Sequence, residues 1–111
     1  MQTISREELQ AEIAAGTIVV LEALPYNYYA DGHIPGAHSL PLDEIDSRAV
    51  NVVPNRATAV VTYCTGSSCP NSRIAAEQLS KLGYTDVRAY EGGKEDWAHA
   101  GLPLESAAVT P

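Results

Sequence analysis

The sequence predicts an α/β domain with a mainly parallel sheet. Its strand candidates at residues 18–21, 58–63 and 87–90 are short and rich in apolar, β-branched or aromatic residues, and helix-like segments alternate with them. Ile18, Val19, Val20 and Leu21 run apolar without alternation, the mark of a strand covered on both faces. The chain has 111 residues, room for one domain with one core.

The elements follow in order. Ser5 with Glu8 fits a capping box, Leu9 and Ile13 recur at helical spacing, and Gly16 suits a helix stop. The strand at 18–21 comes next. Residues 25–32 read as an irregular or short helical stretch carrying Tyr26, Tyr28 and Tyr29, and a turn-rich segment 32–38 leads into Ser39, Leu40, Pro41 and Leu42. Residues 43–46 start a short helix. After the second strand at 58–63, a helix spans about 71–82, with Ile74, Ala75, Leu79 and Leu82 on one stripe and Gly83 ending it. The third strand closes at Gly92 and Gly93, and residues 94–100 form a short helix carrying Trp97, a core residue. The domain is expected to cover 1–104, with 105–111 a loose tail.

Charge narrows the function. Seven Lys and Arg against fourteen Asp and Glu leave a net charge of -7, unlike a protein that neutralises nucleic-acid phosphates or docks on anionic membranes. No apolar run approaches the ~20 residues of a membrane span, and the N-terminus lacks a signal-peptide layout. The expectation is a cytoplasmic monomer with no nucleic-acid or membrane partner.

Two cysteines, Cys64 and Cys69, lie in one short stretch, which raises thiol chemistry. Cys64 directly follows a strand, and Thr65, Gly66, Ser67 and Ser68 are small enough for the backbone to curl and point amides inward. Such a cradle, at the positive end of the following helix, binds anions and favours thiolate, lowering the Cys64 pKa. The alternative is a cysteine that serves as a small buried hydrophobe.

Asp31, Gly32, His33, Ile34, Pro35, Gly36 and Ala37 resemble the GHIPGA signature of rhodanese-like domains. The strand ending Val61, Thr62, Tyr63, Cys64 and the helix opening at Ser72 and Arg73 resemble that family's active-site strand and helix. Lys81, Leu82, Gly83 and Tyr84, then Glu91, Gly92, Gly93 and Trp97, and finally Gly101, Leu102 and Pro103 match its C-terminal pattern, so the likeness covers about 5–103. It implies a five-stranded, mainly parallel sheet flanked by helices on both faces. It also implies a sulfurtransferase, without metal or cofactor, that takes sulfane sulfur onto Cys64 as a persulfide and passes it to a thiol acceptor. The amides of Thr65, Gly66, Ser67, Ser68 and Cys69 would surround the outer sulfur. Donor and acceptor would be small molecules or proteins.

Three departures from the family pattern shape the expectation. The loop is longer than usual and holds no cation, leaving Arg73 as a partial substitute and favouring a persulfide donor over thiosulfate. The missing arginine fork also argues against a related phosphatase. Glu22, Ala23, Leu24 and Pro25 stand where the family has Asp-x-Arg, so the aspartate–arginine tie that braces the site is expected to be lost, with Glu22 left to keep part of that role. Cys69 is extra, and is either a resolving thiol for Cys64 or a small loop residue. Two rival functions stand beside the transferase: a non-catalytic binding or regulatory module, and a thiol redox protein using both cysteines.

Other residues carry weaker signals. His33, His38, Cys64 and Cys69 are not expected to bind zinc, since the histidines belong to a turn signature and steady it. No histidine adjoins Cys64 for a cysteine-protease pair, and His99 reads as a surface residue. The three tyrosines are expected to pack over the sheet edge with hydroxyls in solvent, Tyr28 and Tyr29 being the candidates for a pocket mouth. Gly92, Gly93 and Lys94 lack the spacing of a phosphate loop.

Overall fold

The computed structural model describes residues 2–106. Strand β1 (Gln2–Thr3) precedes helix α1 (Arg6–Ala15), strand β2 (Ile18–Glu22), helix α2 (Tyr26–Asp31) and strand β3 (His38–Ser39). A single 3-10 turn (Leu42–Glu44) leads into α3 (Ile45–Val52), followed by β4 (Ala59–Tyr63), α4 (Asn71–Lys81), β5 (Val87–Tyr90) and α5 (Gly93–His99). The strands form one sheet in the order β1-β5-β4-β2-β3, with every pairing parallel.

Local signals explain the elements. Ser5 Oγ accepts from the Glu8 amide at 3.1 Å while the Ser5 amide donates to the Glu8 carboxylate at 3.2 Å, so the capping box forms. Gly16 closes α1 at φ 70°. The unalternating strands are covered on both sides, as expected. Leu21 and Val60 face Ile45 and Ala49 of α3 with Ala75 and Leu79 of α4. Val20 and Val61 face Leu9 of α1, Ile34 and Trp97 of α5.

Two features differ from the sequence reading. β1 is polar, exposed and only two residues long, so no apolar pattern marks it; its pairing with Arg88 and Ala89 comes from the neighbouring β5. Glu105 is not loose: it exchanges two backbone hydrogen bonds of 2.8 Å with His33. Residues 107–111 of the expected tail lie outside the described residues.

The C-terminal edge of the sheet is pinned by α5. The Lys94 amide donates to the Cys64 carbonyl at 3.1 Å and the Glu95 amide to the Thr65 carbonyl at 2.9 Å. Only glycine allows this approach. Gly93 sits at φ 61°, and a Cβ there would come within 2.5 Å of the Cys64 oxygen. Lys94 also reaches back across the sheet: its ammonium lies 3.0 Å from Glu22 Oε1 and donates to the Tyr28 carbonyl at 2.8 Å. Glu22 thus keeps the bracing role expected of it in part, its cation drawn from α5 instead of an arginine two residues after the acid.

Glu22 is fully buried at the end of β2. Its Oε1 also accepts from the Tyr63 hydroxyl at 2.8 Å, and that hydroxyl accepts from the Ile34 amide at 3.0 Å. Oε2 has no hydrogen-bond partner among the described residues. Burial pushes the Glu22 pKa up, with Tyr63 and Lys94 opposing it.

Two outcomes follow from α5. Gly93→Ala is expected to destabilise the domain by about 2 kcal/mol through the positive φ and the collision with Cys64; unchanged urea denaturation would contradict the close approach. The raised Glu22 pKa means that its charged form costs stability as pH rises through the raised value, and below the ordinary carboxylate range that cost vanishes. Lys94→Met removes the offsetting cation, so it is expected to lose about 3 kcal/mol near pH 8 and distinctly less near pH 5. Equal losses at both pH values would show that the pair does not control Glu22.

Candidate active site

Cys64 leaves the end of β4 and is 1% exposed. The chain then turns sharply, the Cys69 amide donating to the Gly66 carbonyl at 3.0 Å. Helix α4 begins with Pro70 at its N-cap and no side-chain cap, so its first amides are free to serve a ligand or a sulfur. They serve the two thiols. Ser72, through its amide and hydroxyl, favours the thiolate of Cys64, whereas the Asn71 amide and the Thr65 amide and hydroxyl favour that of Cys69. The helix start is itself fixed: Thr62 Oγ1 donates to the Ser72 carbonyl at 2.7 Å, and Asn71 Nδ2 donates to the Ala23 carbonyl at 2.9 Å.

The thiols are partners. Cys64 Sγ donates to the Cys69 carbonyl at 3.4 Å, and the two thiols shift each other's ionisation. Both are free cysteines. Burial pushes the Cys64 thiol up, and the Cys69 thiol adds to the rise. Burial opposes ionisation of Cys69 most, yet donors from Cys64, Asn71 and Thr65 outweigh it and hold that thiol below the ordinary cysteine value. The expected lowering at Cys64 is thus overturned. Donors from Asn71 and Thr65 favour the thiolate of the outer cysteine, whereas burial dominates at Cys64.

Two further predicted roles shift. The Cys69 amide is engaged by Gly66 inside the turn and is no part of an amide ring around Cys64. Asn71 and Ser72 supply donors that the sequence reading missed, although an uncapped helix start next to a cysteine was a readable signal. Gly66 is buried, while Ser67 and Ser68 are exposed at the loop tip.

The rim is acidic. The Glu95 carboxylate lies directly over Gly66, where a Cβ would collide with it. Arg73 is exposed and pairs with Glu91 at 3.3 Å. The one cation predicted to serve the loop is thus already partnered by a carboxylate.

The tyrosines divide. Tyr26 and Tyr28 are exposed. Tyr29 stacks on His33 with ring centroids 3.8 Å apart and donates its hydroxyl to the Ala37 carbonyl at 2.7 Å, so that hydroxyl is not in solvent. His33 Nδ1 lies 2.9 Å from the Tyr29 carbonyl, in keeping with a turn-steadying histidine. Trp97 is buried, and its indole donates to the Pro103 carbonyl at 2.9 Å.

Comparison with known proteins agrees with this architecture. The Rhodanese-like domain family matches residues 5–100. The chain is 31% identical over 105 residues, 95% of its length, to the HTH-type transcriptional regulator Rv0324 of Mycobacterium tuberculosis. It is 36% identical over 67 residues, 60% of its length, to the thiosulfate sulfurtransferase PspE of Escherichia coli. It spans 45% and 62% of those two relatives. The crystal structure of a thiosulfate sulfurtransferase from Pseudomonas aeruginosa superposes with a TM-score of 0.85 at 29% identity, covering 99% of this chain and 22% of that one. No helix among the described residues is long and apolar enough to cross a membrane. With a five-stranded parallel sheet, a cysteine at the end of the central strand and the matched family pattern, the chain belongs to the rhodanese-like domain family.

Proposed function

We propose that this domain is a sulfurtransferase that carries sulfane sulfur as a persulfide on Cys64. The observation that carries this reading is the pairing of a buried strand-end cysteine with an uncapped helix start, at which Ser72 favours the Cys64 thiolate. In the loading step, the Cys64 thiolate attacks the outer sulfur of a persulfide donor; the S–S bond of the donor breaks and the donor leaves as a thiolate. In the second step, an acceptor thiolate attacks that same outer sulfur and Cys64 leaves as thiolate. No electrons are gained or lost by the protein over the cycle. Ser72 and the amides of Gly66, Ser67 and Ser68 would stabilise the persulfide anion.

The donor class follows from charge. Thiosulfate is a compact dianion that needs a cation to replace its water, whereas this rim offers the Glu95 carboxylate and an arginine already paired with Glu91. An organic or protein persulfide places at most one charge at the sulfur and fits the acidic rim better. A second reading, a module that binds or regulates a partner, is favoured by the transcriptional regulator among the relatives.

Intact mass spectrometry after incubation with an organic persulfide tests the reading. Cys69→Ser should gain one sulfur, and the Cys64→Ser variant should gain none. No gain by folded Cys69→Ser with a free Cys64 would move the conclusion to the binding module. Because burial raises the Cys64 thiol, the initial loading rate should still climb with pH beyond the ordinary cysteine pKa of about 8.5; a plateau below neutrality would contradict it. Glu95→Lys should raise loading from thiosulfate by roughly tenfold with little effect on loading from a neutral persulfide. Equal effects on both donors would remove Glu95 from donor selection.

A further inference from the structure

The transfer cycle uses one thiol, and the site holds two. We propose that Cys69 discharges the persulfide on Cys64, so that the domain also acts as a persulfide reductase that releases hydrosulfide and closes a Cys64–Cys69 disulfide. This rests on the persulfide reading of Cys64 and extends it to a second activity at the same loop.

Geometry supplies the argument. Cys64 is 1% exposed, so an external thiol must enter the loop to reach it, while Cys64 Sγ already lies 3.4 Å from the carbonyl of Cys69, which places Cys69 beside it. A neighbour held in contact competes with dissolved thiols at a high effective concentration. The turn between them can move without disturbing the core, since Ser67 and Ser68 are exposed while β4 and α4 are tied separately by Thr62 and Asn71. Cys69 itself is partly exposed, which gives hydrosulfide a way out and a reductant a way in. The Thr65 and Asn71 donors also favour the thiolate of Cys69, the form that attacks.

The step balances. The Cys69 thiolate attacks Cys64 Sγ, the inner sulfur of the persulfide; a bond forms between the two Sγ atoms and the bond to the outer sulfur breaks. The outer sulfur leaves as hydrosulfide with the electron pair, reduced by the two electrons that Cys64 and Cys69 together give up in becoming a disulfide. Two molecules of a low-molecular-weight thiol then reduce the disulfide and are themselves oxidised to their own disulfide. The chain has two cysteines in all, so the product has one possible internal pairing.

The test loads reduced wild type, Cys69→Ser and Cys69→Ala with a small organic persulfide, removes excess donor, and follows released sulfide together with intact mass. Wild type is expected to release one sulfide per loaded chain without added thiol and to end two hydrogens lighter than the reduced protein, with a Cys64–Cys69 peptide crosslink. Both variants should hold the added sulfur at least about tenfold longer. Wild type that keeps its sulfur as long as the variants overturns the discharge step and leaves the carrier reading intact. Variants that fold but never take up sulfur overturn both. Two different side chains at position 69 guard against a variant that fails to fold.

Discussion

The buried ion pair between Lys94 and Glu22 holds the working edge of this domain together. Its ammonium grips a carboxylate at the end of β2 and the Tyr28 carbonyl of α2, while the amide of the same residue holds the Cys64 carbonyl. One residue thereby joins three elements at the point where the sheet hands over to the cysteine loop. A buried pair is a weak source of net stability, because taking both charges from water costs several kcal/mol. Its value here is positional. The Glu22 charge can be placed deep among Tyr63 and Ile34 only because Lys94 meets it, and Lys94 comes close enough only because Gly93 leaves room beside Cys64.

Above that frame, the loop distributes its donors unequally. Cys64 is the deeper residue, and Ser72 favours its thiolate; Cys69 is the outer residue, and Asn71 and Thr65 favour its thiolate. In such a pair, burial raises the inner thiol while donors favour the thiolate of the outer one. That ordering suits a site in which the inner sulfur is loaded and the outer sulfur acts on what has been loaded. The acidic rim adds selection on what arrives, since Glu95 stands over Gly66 where a donor anion would pass.

Much of this was legible in the residues. The capping box at Ser5 and Glu8, the apolar runs of β2 and β4, and the glycine stop of α1 each rest on local chemistry that the fold keeps. The position of Cys64 at a strand end was equally plain. Other features depend on residues distant in sequence. Lys94 follows Glu22 by most of the chain's length, so no spacing marks it as the cation of the tie. The polarity of β1 hides it, since its only reason to be a strand is the free edge of β5. The depth of Cys64 reversed its expected acidity: loop composition speaks of donors but not of burial, and burial is the larger influence.

The most direct measurement is a crystal structure of Cys69→Ser after loading with an organic persulfide. One added sulfur on Cys64 Sγ is expected, lying against the Ser72 amide and hydroxyl inside the loop. An unmodified Cys64 in crystals whose mass carries the extra sulfur, or an outer sulfur turned away from Ser72, would contradict it.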